Sequence, residues 1–212
     1  MSFNLYKLFI LKFLFLLILW INFIPRIGYC NQIIVLFGDS LMSGYGLDEQ
    51  FHLSSVLEKN LKEKGYDVKI VNASVSGDTT YGGLNRVNWL LEKREVKIIV
   101  LCLGANDMLR GIDHTTIKKN LKNILIILKE KNISVLLAGM LAQKTYGEEY
   151  KTNFDAIYPE LAKRYNVSFL PFLLEGVALI PKYNLDDGKH PNHKGIELIS
   201  KNLERKLIKL LN

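Results

Sequence analysis

Two side chains far apart in the sequence have the chemistry needed for nucleophilic catalysis. Ser40 lies in the segment GDSL, directly after the apolar run IIVLF, and His190 lies in the segment DDGKHPN. A serine hydroxyl is a weak nucleophile and needs an adjacent base. His190 can be that base, because a neutral imidazole can take the proton from Ser40 and later deliver it to a leaving group. We therefore predict acyl transfer with Ser40 as the nucleophile.

An acidic residue close to His190 is needed to fix the tautomer of the imidazole. Asp187 precedes His190 by three residues, and Gly188 between them permits a tight turn. In such a turn the Asp187 carboxylate can accept a hydrogen bond from the ring N–H. The neighbouring Asp186 is the alternative, but its side chain is expected to point the opposite way. The spacing favours Asp187 as the third member of a Ser-His-Asp triad.

Three groups in the sequence are candidates for an oxyanion hole, where the loss of one donor typically lowers the rate about 10²–10³-fold. They are the backbone N–H of Ser40, the backbone N–H of Gly77 in NASVSGDTT, and the side-chain amide of Asn106 in LGANDMLRG. A glycine leaves room for the backbone to approach an oxyanion closely, and an amide donates without carrying a charge. We predict that these three donors face the same carbonyl oxygen.

The elements that must position these side chains follow from an alternation of short apolar runs with longer amphipathic ones. The short runs are β-branched and almost continuously apolar, as expected of strands buried on both faces. One amphipathic run should end as a helix at Gly65, and another, over residues 150–165, should kink or restart at Pro159. Strands alternating with helices predict an α/β fold, a parallel sheet with helices on both faces. The predicted strands span residues 33–37, 67–72, 96–103, 134–139 and 167–172.

Each of the four polar segments comes after a predicted strand. GDSL follows the first strand, NASVSGDTT the second, LGANDMLRG the third, and DDGKHPN comes after the last. Because sites in such sheets lie outside the carboxyl ends of the strands, we expect all four segments at one edge of the sheet. Residues 31–212 are predicted to form one domain, since the sequence within them has no linker, low-complexity segment or internal repeat.

The same segments resemble those of the GDSL, or SGNH, hydrolases, whose hallmark Ser, Gly, Asn and His match Ser40, Gly77, Asn106 and His190. The stretches VNASVSGDTTYGGLNRV, AGMLAQKTYGEEY and FDAIYPELAKRYNV are similar to the bacterial arylesterase group, which includes acyl-CoA thioesterase I and lysophospholipase. The similarity covers residues 32–212. It implies a three-layer α/β/α sandwich of the flavodoxin-like type, a Ser-Asp-His triad, and neither a metal nor another cofactor.

The triad and the resemblance together predict a serine esterase that passes through an acyl-enzyme. The expected partner is a small-molecule or lipid ester, and the sequence does not choose among carboxylic esters, thioesters and lysophospholipids. Met108, Leu109 and Ile112 lie just past Asn106 and are predicted to border a groove for the acyl chain. The alternative is that these side chains pack beneath the loop.

Other functions fit the sequence less well. A conventional α/β-hydrolase would carry G-x-S-x-G after a strand, and this sequence has no such motif. Its four histidines form no H-E-x-x-H motif, which disfavours a metal hydrolase. A flavodoxin-like binding module would need a phosphate-binding loop where the sequence has the acidic Asp39. A carbohydrate O-acetyl esterase of the cell envelope, built on the same fold, stays the alternative.

Residues 1–30 differ in composition from the rest of the chain. Nine apolar residues at 13–21 suit the core of a signal peptide better than a membrane-spanning helix, which needs about 20. We predict an exported, periplasmic protein with a cleaved signal peptide. An uncleaved anchor in the inner membrane, with membrane association through this segment, and lipidation at Cys30 are the alternatives.

The positive charge of the chain does not indicate a nucleic-acid partner. Three of the 28 basic residues and none of the 21 acidic ones lie in residues 1–30, so the formal net charge of +7 overstates that of the rest. The remaining lysines are scattered over predicted helix faces without an aromatic-interleaved basic stripe. Cys102 lies in an apolar run and is predicted to be a buried thiol.

Overall fold

The computed structural model describes residues 32–92 and 95–212 of the chain. The predicted leader, residues 1–30, and the predicted processing region around Cys30 lie outside the described residues. In the part of the chain that is described, no helix has both the length and the apolar character needed to cross a membrane. Residues 31–212 cluster as one compact unit.

The core of this unit is a five-stranded parallel sheet in the order β2-β1-β3-β4-β5. Its central strands are apolar along nearly their whole length because helices cover both of their faces. Val35, in β1, pairs with Val71 on one side and with Ile99 on the other, so this strand lies between β2 and β3. The predicted parallel sheet is therefore confirmed. Its strands are β1 (Gln32–Gly38), β2 (Val68–Asn72), β3 (Val96–Cys102), β4 (Ser134–Ala138) and β5 (Ser168–Leu170).

The helices form a layer on each side of the sheet. They are α1 (Ser40–Ser43), α2 (Leu53–Glu63), α3 (Thr80–Glu92), α4 (Ala105–Leu109), α5 (His114–Glu130), α6 (Glu148–Tyr165) and α7 (His193–Leu211), with short 3₁₀ helices at Glu49–Phe51, Lys144–Tyr146 and Pro181–Tyr183. On one side α2 packs against α7, and on the other α3 packs against α5, which in turn packs against α6. This is the three-layer α/β/α arrangement predicted for the chain.

Helix α2 ends where its sequence indicates, and α6 continues through its proline. Gly65 has φ = +88°, the left-handed conformation that favours a glycine just past a helix. Pro159 is predicted to kink or restart the helix, and the restart does not occur, because α6 is a single helix that contains the proline. The buried side chains of Phe154, Tyr158 and Leu161 lie before and after the proline, and their packing keeps the two halves together.

Candidate active site

The polar segments meet at the point of the sheet where the strand order reverses. Ser40 directly follows Asp39 at the end of β1, and Asn106 lies at the start of α4, just past β3. Gly77 lies in the loop after β2, the neighbour of β1 on its other side. Chains leave β1 and β3 toward opposite faces of the sheet, which opens a crevice between the two strand ends. The order of strands and polar segments in the sequence predicts a site at this edge.

Ser40 is held at the strand end by the residues on either side of it. A Cβ at Gly38 would lie 2.6 Å from the Cys102 carbonyl oxygen, so a glycine is needed where β1 runs beside β3. Asp39 caps α1, and its Oδ1 accepts a hydrogen bond from the Leu41 N–H at 3.0 Å. The turn from strand to helix therefore fixes the backbone on both sides of the Ser40 hydroxyl.

His190 lies within hydrogen-bond distance of Ser40. The two atoms, His190 Nε2 and Ser40 Oγ, are 2.9 Å apart, although the residues are 150 positions apart in the sequence. The other ring nitrogen, Nδ1, is 2.6 Å from Oδ2 of Asp187. With a proton on Nδ1, the Nε2 lone pair faces the serine hydroxyl. In this geometry the His190 imidazole can take the hydroxyl proton from Ser40.

The turn that carries His190 is organised by the Asp187 carboxylate. Its Oδ1 accepts the backbone N–H groups of Lys189 at 2.8 Å and of His190 at 3.0 Å. These bonds, with the His190 backbone N–H as the largest contribution, lower the pKa of Asp187 from 3.8 to about 2. Gly188 has φ = +66°, which the tight turn requires. Asp186, the alternative from the sequence, is exposed.

The amide of Asn106 points toward the segments that follow β1 and β2. Its Nδ2 donates to Oδ2 of Asp39 at 3.2 Å and to the Asp78 carbonyl oxygen at 3.0 Å. The next residue, Asp107, is fully buried and accepts the Thr80 N–H at 2.8 Å and the Thr80 hydroxyl at 2.6 Å. These bonds tie the start of α4 to the start of α3, so the Asn106 amide is held between two neighbouring loops.

Gly77 lies in a turn whose backbone conformation explains the glycine. Its φ of +80° is in the left-handed region, where side chains with a Cβ are strained. A Cβ there would be 3.9 Å from Nη2 of Arg110, so crowding by a protein neighbour is not the reason. The same Arg110 nitrogen donates to the Gly77 carbonyl oxygen at 2.9 Å. This bond helps to fix the orientation of the peptide group that follows Gly77.

Asp39 is a buried carboxylate beside Ser40, and no pattern in the sequence predicts a role for it in the site. Its side chain is 1% exposed, and this burial raises its pKa from 3.8 to about 6. The bond from the Leu41 N–H, the proximity of His190 and the bond from Asn106 oppose that increase, and the negative charge of Asp78 adds to it. The Asn106 amide thus donates a hydrogen bond to a carboxyl group whose pKa is raised.

Arg86, on α3, joins three parts of the site and was also missed. Its guanidinium donates to Asp78 Oδ2 at 2.7 Å, to the Ala73 carbonyl at 2.5 Å and to the Gly38 carbonyl at 3.2 Å. It also lies over the Phe37 ring, 4.0 Å from the ring centroid. No local pattern could have identified it, because its three acceptors lie 8 to 48 residues away in the sequence.

The three residues predicted to border an acyl groove have different surroundings. Leu109 is 53% exposed, next to the loop of Asn106, whereas Met108 is 5% exposed and belongs to the hydrophobic core. Ile112 is partly buried and packs against that core. Of the three, only Leu109 presents an exposed apolar side chain at the surface. Residues 32–92 and 95–212 contain no group of three His, Cys, Asp or Glu side chains that could hold a metal ion.

Comparisons with known proteins identify the family. A model of the GDSL-like lipase/acylhydrolase family matches residues 36–198. The chain is 36% identical over 202 residues to thioesterase 1/protease 1/lysophospholipase L1 of Escherichia coli K12, covering 95% of this chain and 93% of the relative. It is 35% identical over 181 residues to an arylesterase of Vibrio mimicus, covering 85% and 90%. The crystal structure of TesA superposes with a TM-score of 0.81 at 34% identity, covering 84% of this chain and 99% of that one.

These matches extend over nearly all of the described residues, and the relatives are named as esterases and thioesterases. The resemblance inferred from the sequence is thereby confirmed, and so is the three-layer fold that it implies. The chain therefore belongs to the GDSL-like lipase/acylhydrolase family and is a hydrolase of ester bonds.

Proposed function

We propose that this hydrolase cleaves acyl esters through an acyl-enzyme formed on Ser40. The observation that supports the proposal is the continuous chain of hydrogen bonds from Ser40 Oγ through His190 to Asp187, with separations of 2.9 and 2.6 Å. In this arrangement the nucleophile contacts its base, and the base contacts the carboxylate that orients it. A pKa of about 2 keeps the Asp187 carboxylate ionised wherever the imidazole is neutral.

In the first half of the reaction, His190 Nε2 accepts the hydroxyl proton as Ser40 Oγ forms a bond to the carbonyl carbon. Asp187 stabilises the imidazolium that results, without taking its proton. The tetrahedral intermediate collapses when the imidazolium gives that proton to the leaving alcohol or thiol and the bond to the leaving group breaks. In the second half, water takes the place of the alcohol, and the same steps release the carboxylic acid and restore Ser40.

The oxyanion of the intermediate would be stabilised by the N–H groups of Ser40 and Gly77 and by the Asn106 amide. The geometry supports this role, because Ser40 follows β1, Gly77 lies in the loop after the neighbouring strand β2, and the Asn106 amide hydrogen-bonds to Asp39, the residue before Ser40. In the free enzyme the amide N–H groups of Asn106 are engaged by Asp39 and by the Asp78 carbonyl. The oxyanion would therefore share these donors rather than meet an unengaged amide.

We propose acyl chains as the recognised part of the substrate. Exposed apolar side chains occur in the segments that follow the carboxyl ends of the first four strands, namely Tyr45, Val75, Leu109 and Leu141. Such side chains favour a hydrocarbon chain over a sugar. The curated relatives are named arylesterase and thioesterase 1/lysophospholipase L1, which supports carboxylic esters, thioesters and lysophospholipids as the substrate classes.

Labelling with a fluorophosphonate tests the nucleophile. We expect the probe to modify the wild-type protein and Ser43→Ala equally and to leave Ser40→Ala unlabelled. Ser43 is a matched control, because it lies three residues away at the other end of the same short helix. Equal labelling of Ser40→Ala and wild type would overturn the proposal.

Substrate class is tested with p-nitrophenyl esters from acetate to dodecanoate, an acyl thioester, a lysophospholipid and acetylated xylan. We expect kcat/KM to rise with chain length, and Leu109→Ala to lower it about tenfold for the long esters but less than twofold for acetate. Acetate release from xylan faster than hydrolysis of every acyl ester would favour the carbohydrate esterase instead.

We further propose that the protein is exported and acts in the periplasm. The support is the apolar run at residues 13–21, whose length suits a signal peptide. N-terminal sequencing of the protein recovered from the periplasmic fraction should place the mature start near residue 31. Recovery of the full chain, from Met1, in the membrane fraction would favour the uncleaved anchor.

A further inference from the structure

The ring of Tyr45 lies against the imidazole of His190. Their ring centroids are 4.3 Å apart, and their planes are inclined by 34°. Tyr45 comes five residues after Ser40, so this contact joins the segment that carries the nucleophile to the turn that carries the base. The tyrosine is nevertheless 51% exposed, which is unusual for so large an aromatic side chain in contact with a candidate catalytic group.

The backbone around Tyr45 is shaped to hold the ring in this place. Gly44 and Gly46, on either side, have φ values of +88° and +71°. A Cβ at Gly44 would overlap the His52 ring at 2.2 Å, and a Cβ at Gly46 would lie 2.9 Å from Cδ1 of Leu185. The segment is thus packed against α2 on one side and against the turn of His190 on the other.

The bond between Asp187 and His190 cannot set the position of the imidazole relative to Ser40. Asp187 and His190 are three residues apart in one turn, and Asp187 is also bonded to that turn through backbone N–H groups. These bonds orient the ring within the turn, and the turn itself is joined to neighbouring segments by bonds of Asn184 and Asn192. None of these bonds reaches the segment after β1, whereas the Tyr45 ring of that segment lies against the imidazole.

We infer that Tyr45 is a positioning residue whose ring holds the His190 imidazole within hydrogen-bond distance of the Ser40 hydroxyl. The inference depends on the proposed roles of Ser40 and His190. The electron-rich face of the ring also favours the imidazolium that forms when His190 takes the serine proton. The hydroxyl of Tyr45 has no part in this, so an aromatic ring of the same size should serve equally well.

The test compares Tyr45→Ala, Tyr45→Phe and a control in the full-length protein, with p-nitrophenyl acetate as the substrate. We expect Tyr45→Ala to lower kcat about tenfold, a change of about 1.4 kcal/mol in the barrier, with KM within twofold of wild type. Tyr45→Phe should restore kcat to within threefold. The control is Trp89→Ala, which removes another exposed aromatic ring, from the C-terminal half of α3, and should leave kcat unchanged.

The second-order rate constant for labelling by the fluorophosphonate gives a second measurement that does not depend on product release. We expect it to fall with kcat in Tyr45→Ala, while the thermal unfolding midpoint stays within about 2 °C of wild type. Equal activity of Tyr45→Ala and wild type would overturn the inference, and so would a loss in Tyr45→Phe as large as in Tyr45→Ala. Ser40→Ala in the same assays separates the two proposals. If this variant is active, the proposed role of Ser40 as the nucleophile is refuted, whatever the result for Tyr45.

Discussion

Asp39 orients a neighbouring side chain in the site but lowers the stability of the fold when it is ionised. It is buried, and its hydrogen bonds come from two neutral donors, the Leu41 N–H and the Asn106 amide. Its pKa is raised to about 6, so the folded protein binds a proton at Asp39 more tightly than the unfolded chain does. Ionisation of Asp39 therefore lowers stability progressively as the pH rises from about 4 to above 6. The Asp39 carboxylate thus orients the Asn106 amide but lowers the stability of the fold when it is ionised.

Replacing Asp39 with Asn should separate these effects. The shift from 3.8 to about 6 corresponds to about 3 kcal/mol at 1.36 kcal/mol per unit, so Asp39→Asn should gain about that much more stability at pH 8 than at pH 4. Hydrogen bonds lost in the variant cancel in this comparison. The variant should also lose about tenfold in kcat, because Asn106 no longer faces a carboxylate acceptor. Urea unfolding at both pH values measures the stability, and a gain equal at both would contradict the account.

Single substitutions test the choice between Asp187 and Asp186. Asp187→Asn should lower kcat about 10³–10⁴-fold at neutral pH, because the imidazole loses the carboxylate that fixes its tautomer. The exposed Asp186 is the matched control, and Asp186→Asn should change kcat less than twofold. Steady-state kinetics on p-nitrophenyl butyrate give both values. Comparable losses in the two variants would contradict the assignment.

Protonation of His190, and not of Asp187, should cause the loss of activity in acid. Asp187 has a pKa of about 2, so its stabilising bonds are intact above its unfolded value of 3.8 and are lost only as the pH falls toward 2. A protonated imidazole can no longer act as a base. Because Asp39 also titrates, with a pKa of about 6, the profile is compared in wild type and Asp39→Asn, and activity should decline in acid in both while the fold remains intact by circular dichroism. A flat profile would exclude His190 as the base.

At the scale of elements, the site depends on α3 as much as on the strands. Arg86 on this helix connects the ends of β1 and β2 to Asp78, whose carbonyl accepts the Asn106 amide. The helix approaches Asp78 so closely that a Cβ at Gly82 would lie 1.9 Å from its Oδ1. The turn containing Gly77 is therefore fixed by a helix that follows it in the sequence.

Arg86→Lys tests this connection, because a lysine keeps the charge but cannot reach three acceptors at once. We expect a loss of about 2 kcal/mol in the free energy of unfolding, since hydrogen bonds to charged groups each contribute about 1.5–3 kcal/mol. We also expect kcat to fall about tenfold with little change in KM, because the turn of Gly77 loses its support. Arg164→Lys, at an exposed position on α6, is the control. A change in stability alone would leave Arg86 a purely structural residue.

Sequence patterns predicted the elements better than the contacts between them. The β-branched runs placed all five strands within about two residues, because burial on both faces leaves a pattern in the chain itself. The proline did not predict that α6 stays one helix, since tertiary packing of Phe154 and Tyr158 outweighs the local helix-breaking preference of Pro159. Arg86 and Tyr45 could not be identified, because their partners depend on loop geometry. The burial of Met108 was equally beyond a pattern, because a helix as short as α4 has no repeat in the sequence from which its buried face can be predicted.

At the scale of the whole molecule, the described core and site lie entirely in residues 32–212. We therefore expect a chain that starts at Asn31 to fold without residues 1–30. Its kcat/KM for p-nitrophenyl butyrate should lie within twofold of that of the full-length protein. Calorimetry should show one cooperative transition, because a single sheet holds the core together. An insoluble or inactive product would show that the first 30 residues contribute to the domain.

The hydrogen bond between residues 40 and 190 has a consequence for how the enzyme matures. On the roles proposed for Ser40 and His190, neither half of the polypeptide holds both members of the pair, and a fragment that lacks either residue has no reaction centre of its own. Activity therefore requires both ends of the domain. After dilution from denaturant, esterase activity should return no earlier than the contact between residues 40 and 190 forms. A ribosome-bound nascent chain should show no esterase activity until the segment that carries His190 has emerged from the ribosome, even if the sheet has already formed.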